Sequence, residues 1–543
     1  MRSIIILAIT ITCFTCPTVA QSGYFSGDLD LRTDFYVKDS AIGAVGTPHY
    51  ENLKSSIDGW LQLNYTNPDF QFEAGLRLDL FVNSNLPQPG IPFSGQGIGS
   101  WYLKKQINDL KVTGGYFYDQ FGSGMIFRSY EERALAIDNP LLGLHLEYDL
   151  NENWRLKGFG GVQKNKFDLR KPLILGLNID GFIELNENVQ TVPGFSILNR
   201  TIDQESMDFM VSTLESQPEA SRFIPKYNVY SFGVYNTLNF KNFSWYIEGA
   251  YKTEEAIVGE DGATLINTDG HVVYTTLTYS KKGFGITGQF KRTENFVMRT
   301  SPNESLFDGV LNFIPPVSRQ NSLTLPARYF APSLDLEEIA YSIDVTTTPV
   351  KGYSIDISLS EVRDFKFEDH AGEEDEAELF FREAYVDFQI KKWKKVKPTI
   401  GFQYAVYNEE IYLGEGVTDV VSYTPFAEVV YRIDRKKSLK IQAQYQNVKK
   451  DFGEWLYGFI EFSIAPKWSI SVSDMWNFNP NLARDDRPDE KLHFYSLFTS
   501  YTHKANRFTL SFVRQVEGIV CTGGVCRFEP AFSGAKFSVN STF

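Results

Sequence analysis

The sequence predicts an all-β fold, a transmembrane antiparallel β-barrel of about 22 strands within a range of 20 to 24. Two observations carry this prediction. Segments of about ten residues alternate apolar with polar side chains through most of the chain. The connections between them are by turns short and long, as they are when one end of a barrel carries tight turns and the other carries loops. A third observation sets the compartment. The first twenty residues, MRSIIILAITITCFTCPTVA, join a basic start to an apolar run and a small-residue ending. They predict a secretory signal at 1–20, cleaved before Gln21, with residues 21–543 as a single outer-membrane barrel domain.

Composition excludes several alternatives. Aromatic residues make up 15% of the 543 residues, too many for a disordered chain. Hydrophobic residues reach only 43%, and no later stretch holds the ~18 consecutive apolar residues of a spanning helix. The formal net charge of −14 gives no basic footprint, so nucleic acid is not an expected partner.

The alternation is clear in three places. Leu29, Leu31, Thr33 and Phe35 interleave with Asp28, Asp30, Arg32 and Asp34. Leu76, Leu78 and Leu80 interleave with Glu73, Arg77 and Asp79, and Leu439, Ile441 and Ala443 with Lys440 and Gln442. Period two places each set on one face of a strand. The apolar set is expected to meet lipid. Asp28, Asp30, Arg32, Asp34, Glu73, Arg77, Asp79, Lys440 and Gln442 are expected to face a watery lumen. Short turns are expected at sites such as Asn67-Pro68-Asp69 and Lys241-Asn242, and long loops near 120–140, 164–226, 297–335, 365–376 and 480–490. Trp60, Trp101, Trp154, Trp245, Trp455 and Trp468 fall near strand ends, where interfacial aromatic girdles sit. The C-terminal residues Ala535, Phe537, Val539, Ser541 and Phe543 form one face of a final strand ending in Phe, similar to the assembly signal of bacterial outer-membrane barrels.

Four features stand apart from the strands. Cys521 and Cys526 bracket Thr-Gly-Gly-Val and are expected to close a small disulfide staple in the last external loop. Gly122 and Gly124 break the alternation ahead of Arg128, Glu131, Glu132 and Arg133. Those four charges have two readings, a constriction folded into the lumen or a solvated loop held by its own ion pairs. The 203–215 stretch is expected to form a short helix with Met207, Met210, Val211 and Leu214 on one face. The 297–335 loop is less polar than a free loop, with Phe307, Val310, Leu311, Phe313 and Ile314. It either folds inward or meets a protein partner, as does the 164–226 loop. The acidic run 368–378 lacks a calcium-loop spacing and is expected to be a solvated loop.

No enzyme signature is present: there is neither His-Glu-x-x-His nor Gly-x-Ser-x-Gly, and the six histidines are scattered. No catalytic residue, cofactor or metal site is expected, and an outer-membrane enzyme is the weakest of the three readings. The chain resembles an uncharacterised outer-membrane barrel family of Bacteroidota, loosely porin-like. The likeness lies in Tyr118-Asp119-Gln120-Phe121-Gly122-Ser123-Gly124, Arg128-Ser129-Tyr130-Glu131 and Cys526-Arg-Phe-Glu-Pro-Ala-Phe-Ser-Gly534. That resemblance implies fold, compartment and phylum, but no activity. The first strand is expected within ten residues of the cleavage site, which leaves no room for an N-terminal plug of the TonB-dependent type. The expected function is a loop-constricted passive channel for small polar or charged solutes. The alternative is a closed scaffold or binding barrel within a larger outer-membrane assembly.

Overall fold

The fold is that of a computed structural model describing residues 23–543, apart from 260–261, 297, 305–307, 334–336, 365–377, 415, 482–490 and 523–524, and no side chain of 519–527. The acidic 368–378 run, Phe307 and the cysteine side chains therefore lie wholly or mainly outside the described residues.

The first strands are β1 (Tyr24–Tyr36), β2 (Ser55–Asn67), β3 (Phe72–Ser84), β4 (Phe93–Ile107), β5 (Leu110–Phe117) and β6 (Leu141–Asp149). There follow β7 (Trp154–Asn165), β8 (Asp168–Gly181), β9 (Val189–Thr201), β10 (Asn228–Phe240), β11 (Phe243–Val258) and β12 (Leu265–Lys281). The second half comprises β13 (Phe284–Glu294), β14 (Glu337–Val350), β15 (Tyr353–Arg363), β16 (Leu379–Ile390), β17 (Val396–Tyr407) and β18 (Val420–Arg432). It ends with β19 (Lys437–Val448), β20 (Gly453–Ile464), β21 (Trp468–Pro480), β22 (His493–His503), β23 (Asn506–Gln515) and β24 (Phe532–Thr542). They make one 25-stranded sheet in which the short piece Ile183–Asn186 prolongs β8 against β9, so 24 strands wall the barrel. Every neighbouring pair is antiparallel, and β1 pairs with β24 from Asp28↔Thr542 to Tyr36↔Gly534. Closure leaves the sheet without an edge.

The alternation has its expected consequence. On β3, Leu78, Leu80 and Val82 are 37–40% exposed on the outside while Arg77 is 1% and Asp79 5% exposed. Ile470 and Val472 on β21 and Leu497 on β22 continue the outer apolar face. No helix among the described residues is long and apolar enough to cross a membrane.

Two expectations need correction. The stretch 164–226 is not one loop: β8 and β9 lie inside it, and they account for the difference between 22 and 24 strands. The sequence Leu173-Ile-Leu-Gly-Leu-Asn-Ile179 hides its period because Ile174 and Gly176 interrupt the polar face that Asn178 continues. Leu173, Leu175 and Leu177 are exposed outward, whereas Ile174 is fully buried inward against loops that occupy the bore. The remaining loop, 202–227, carries the expected helix, α1 (Gln204–Ser216), N-capped by Asp203. Its Met207, Met210 and Leu214 pack on Ala256 and Leu265 at the barrel mouth, while Val211 is 40% exposed. The girdle expectation also fails for two tryptophans. Trp60 and Trp455 are 5% and 1% exposed and point inward, whereas Trp101, Trp245 and Trp468 are about two-fifths exposed.

Candidate functional site: loops inside the bore

Two loops from the long-loop end fold into the barrel. The first, 118–140, turns in at Gly122, whose φ of +53° suits glycine. A Cβ there would lie 2.5 Å from Glu248 Oε1, so the close approach also requires glycine. The Ser123 amide donates to the buried Glu248 carboxylate of β11 at 2.9 Å. Behind this turn, Met125, Ile126 and Phe127 are fully buried against Phe159, Ile174, Leu198, Ala250 and Val272 of the wall. At about 1.5–3 kcal/mol for each large apolar side chain buried, this packing holds the loop in place.

The second loop, 295–336, crosses the bore. Met298, Leu311 and Ile314 join the same apolar cluster. Farther along, Val317, Tyr329 and Ala331 pack on Ala340, Val362, Phe381, Ala405 and Val448. Leu325 is fully buried among Trp455, Met475 and Phe494 on the far wall. A chain without regular hydrogen bonding needs partners for its backbone when buried. Inward polar side chains supply them. Gln444 Oε1 accepts from the Leu325 amide at 2.8 Å, and Gln446 Nε2 donates to the Leu325 carbonyl at 2.9 Å. Gln403 donates to the Pro326 carbonyl at 3.2 Å, and Lys291 to that of Pro315 at 3.1 Å. The Tyr329 hydroxyl donates to Asp451 at 2.8 Å, and burial followed by that carboxylate holds the phenol far above its ordinary pKa. The two loops also pair with each other. Arg128 N donates to Leu311 O at 2.8 Å and Phe313 N to Gly124 O at 2.9 Å.

An ion-pair cluster fixes the tail of the first loop to β3. The Arg77 guanidinium donates to both oxygens of Asp79 at 2.8 and 2.9 Å and to Glu131 at 3.0 Å, and it also pairs with Asp138. Lys164 closes the cluster on Asp138 and stands 3.6 Å from Asp79. Burial works against the Asp138 charge, yet Lys164 and Arg77 outweigh it and hold the carboxyl below its usual range. Arg133 binds Glu131 at 2.6 Å and reaches Asp28 and Asp30 at 3.6 and 3.7 Å.

The four charges singled out from the sequence thus separate. Glu131 and Arg133 join Arg77, Asp79, Asp28 and Asp30. Glu132 instead caps the Ala134 amide, and Arg128 lies over the rings of Phe313 and Tyr130 at 4.3 and 4.4 Å. Arg32 pairs with Asp30 at 2.9 Å, and Glu73 lies 3.4 Å from Lys104. Lys440 and Gln442 both bind Glu428, at 2.8 and 2.9 Å. Asp34 lies on β1 opposite Ser56 and Lys536. The backbone register sets Cys521 opposite Cys526. Sequence reasoning missed Glu248, Lys291, Asp451 and the three glutamines. The signal was present as polar side chains at inward positions near the bases of long loops. An Asp474–His493 pair, 2.7 Å apart with the ring stacked on Trp476, lies on the outer rim.

Beside the crossing loop a cavity of about 1460 Å³ remains, bordered among others by residues 86–89 and 516–518 of the long-loop end. Trp60, Asp79, Phe81 and Arg133 line one side, and Phe452, Tyr457, Phe494 and Arg514 the other.

A closed antiparallel barrel with an outer apolar face and its own loops packed inside defines the class of protein. The chain belongs to a family of unknown function (DUF6029), whose profile matches residues 1–543. No curated protein sequence matches it. Among solved structures it is similar to the siderophore receptor PirA from Pseudomonas aeruginosa, with 7% identity over 96% of this chain and 80% of that one, at a TM-score of 0.41. It is also similar to OccK5 (OpdH) of the same organism, with 9% identity over 78% and 97% of the chains and a TM-score of 0.36. The ferric-catecholate import receptor Fiu from E. coli K12 has 9% identity over 97% and 82%, with a TM-score of 0.41.

Proposed function

We propose that this chain is an outer-membrane channel, exported behind a cleaved signal at 1–20, that passes small polar or charged solutes by diffusion along a bore narrowed by its own loops. The observation that carries this reading is the cavity of about 1460 Å³ left beside the crossing loop. Charges of both signs, among them Asp79, Arg133, Lys164 and Arg514, border it. Water and polar solutes suit such a lining, and lipid suits the outer apolar face. Residues 131–133 serve as one side of the constriction in this reading, and a Cys521–Cys526 disulfide as a staple of the last loop. Single-channel recording of the purified protein in a planar bilayer tests it. Stable, reproducible, ion-selective steps are the expected result. Silence from protein shown to be folded by heat-modifiable migration overturns it.

One observation favours a second reading, a closed scaffold barrel with a protein partner at its external loops. Phe209, Val211 and Ile224 of the 202–227 loop are 42%, 40% and 90% exposed. A stoichiometric partner retained through mild-detergent purification is the result this reading requires.

A further inference from the structure

The wall of the cavity carries a row of rings. Phe93, at the start of β4, sits at the rim opposite Ser84. Phe81 follows one step deeper on β3, and Trp60 on β2 lies deeper again, beside Asp79. Ring centroids are 5.6 Å apart from Phe93 to Phe81 and 5.7 Å from Phe81 to Trp60. Phe167, from the tight turn between β7 and β8, stacks on Phe93 at 6.5 Å with an interplanar angle of 16°. Room for it comes from Gly95, where a Cβ would meet its ring at 2.8 Å. The row ends where Arg32 and Arg133 cover the Trp60 ring, each at 5.3 Å. Phe452 and Phe494, on the β20–β22 side of the cavity, stand across it from this row, with Trp455 packed against both.

Most of the charges that border this aromatic cleft are paired, whereas Lys166 lies over the Phe93 ring at 4.9 Å. Arg133 binds Glu131 at 2.6 Å, Arg514 binds Asp39 at 2.6 Å and Arg170 binds Asp308 at 3.1 Å. Lys164 is held by Asp138 and Asp79. Paired charges exert little net field on a passing ion, yet their outer edges still donate and accept strong hydrogen bonds. A ligand suited to both features has flat apolar faces for the rings and a neutral, hydroxyl-rich edge for the ion pairs. Pyranose rings in a chain present that combination at each unit.

We propose that the cleft is a binding track for neutral linear oligosaccharides, with Phe93 and Phe81 as successive stacking positions that lead from the rim toward the Arg77–Glu131–Arg133 cluster, where the buried Trp60 backs the inner end. The track deepens the channel reading and rests on it for the vestibule's access to solvent.

The test is calorimetry on the full chain in detergent with maltohexaose, cellohexaose and chitohexaose, and with citrate and polyethylene glycol as controls. At least one hexasaccharide is expected to bind more tightly than either control, with affinity falling as it is shortened to the disaccharide. The double variant Phe81→Ala, Phe93→Ala is expected to weaken that binding about tenfold. Heat-modifiable migration is the check that the variant barrel folds. The single variant Phe93→Leu, which keeps apolar bulk without a ring, is expected to bind more weakly than the parent. The proposal is overturned if no hexasaccharide binds, if citrate binds more tightly than every sugar, or if a folded double variant keeps parental affinity. Bilayer steps without sugar binding overturn the track and leave the channel standing. Sugar binding by a barrel silent in bilayers does the reverse.

Discussion

Replacing Arg77 by Met tests whether the 131–138 segment is held against the wall by charge. The side chain is 1% exposed and is the hub of Asp79, Glu131 and Asp138. Met keeps the apolar stem and removes the guanidinium. Three carboxylates then face only Lys164 and Arg133, and Asp79 keeps a single cation, 3.6 Å away. Breaking a buried pair by removing one partner costs about 3–5 kcal/mol, because the remaining charge stays desolvated. The barrel ladder is untouched by the change, so this cost falls on docking of the segment. At 1.4 kcal/mol per factor of ten, the undocked population rises by about a hundredfold to a few thousandfold. Single-channel recording should show a larger mean conductance with flickering between levels, and amide exchange should accelerate over 131–138 while β3 stays protected. Restoring balance with the double variant Arg77→Met, Asp138→Asn should recover part of the loss. Parental conductance and parental exchange over 131–138 in R77M would refute the reasoning.

Other perturbations follow from the same contacts. Replacing residues 299–333 by a short Gly/Ser linker should leave a folded barrel of markedly higher conductance, and an unchanged conductance would contradict the crossing loop as the obstruction. Leu325→Ala removes a fully buried side chain, and the loss of about 2–5 kcal/mol should appear as exposure of the loop to limited proteolysis. Gly122→Ala forces a side chain onto Glu248 at positive φ, so its cost of at least 1–2 kcal/mol should lower the temperature at which near-ultraviolet dichroism is lost. Asp39 is held below its usual pKa first by the hydrogen bonds from Arg514. A depressed carboxylate stabilises at neutral pH and loses that contribution as pH falls through its folded value. The protection factors of the amides over 37–45, measured against intrinsic rates at each pH, should therefore be unchanged from pH 7 down to the ordinary carboxylate range and fall only below it, whereas D39N should show low protection throughout.

Strand parity was legible wherever one face met lipid and the other water, as on β3, where Leu78 and Arg77 state the orientation outright. It failed where the bore is filled. Ile174 and Leu198 face inward yet are fully buried in an apolar cluster, so β8 and β9 lose part of the polar half of their period, although Asn178, Ser196 and Arg200 still mark it. The same in-folded loops explain the inward Trp60 and Trp455. The loops themselves announced their apolar content but not their destination. Composition says that Leu311, Ile314 and Leu325 must be covered, and only the tertiary arrangement says by what. Of the four charges 128–133, spacing could not show that Glu131 and Arg133 meet β1 and β3 while Arg128 turns to Phe313. That division depends on contacts spanning more than fifty residues, such as Arg77 to Glu131.

The crossing loop also bears on the order of assembly. The first loop packs on β5 to β12, strands close to it along the chain, and can seat as soon as that arc exists. The second is anchored at one end on the same arc, but its Leu325 waits for β20 to β22, about 130–170 residues downstream. Its docking energy becomes available only as the C-terminal strands arrive, just before β24 meets β1. The segment then works as a drawstring laid across an open cylinder. It rewards the approach of the two flanks, and it biases the growing sheet toward sealing on itself rather than recruiting a strand from a neighbouring chain.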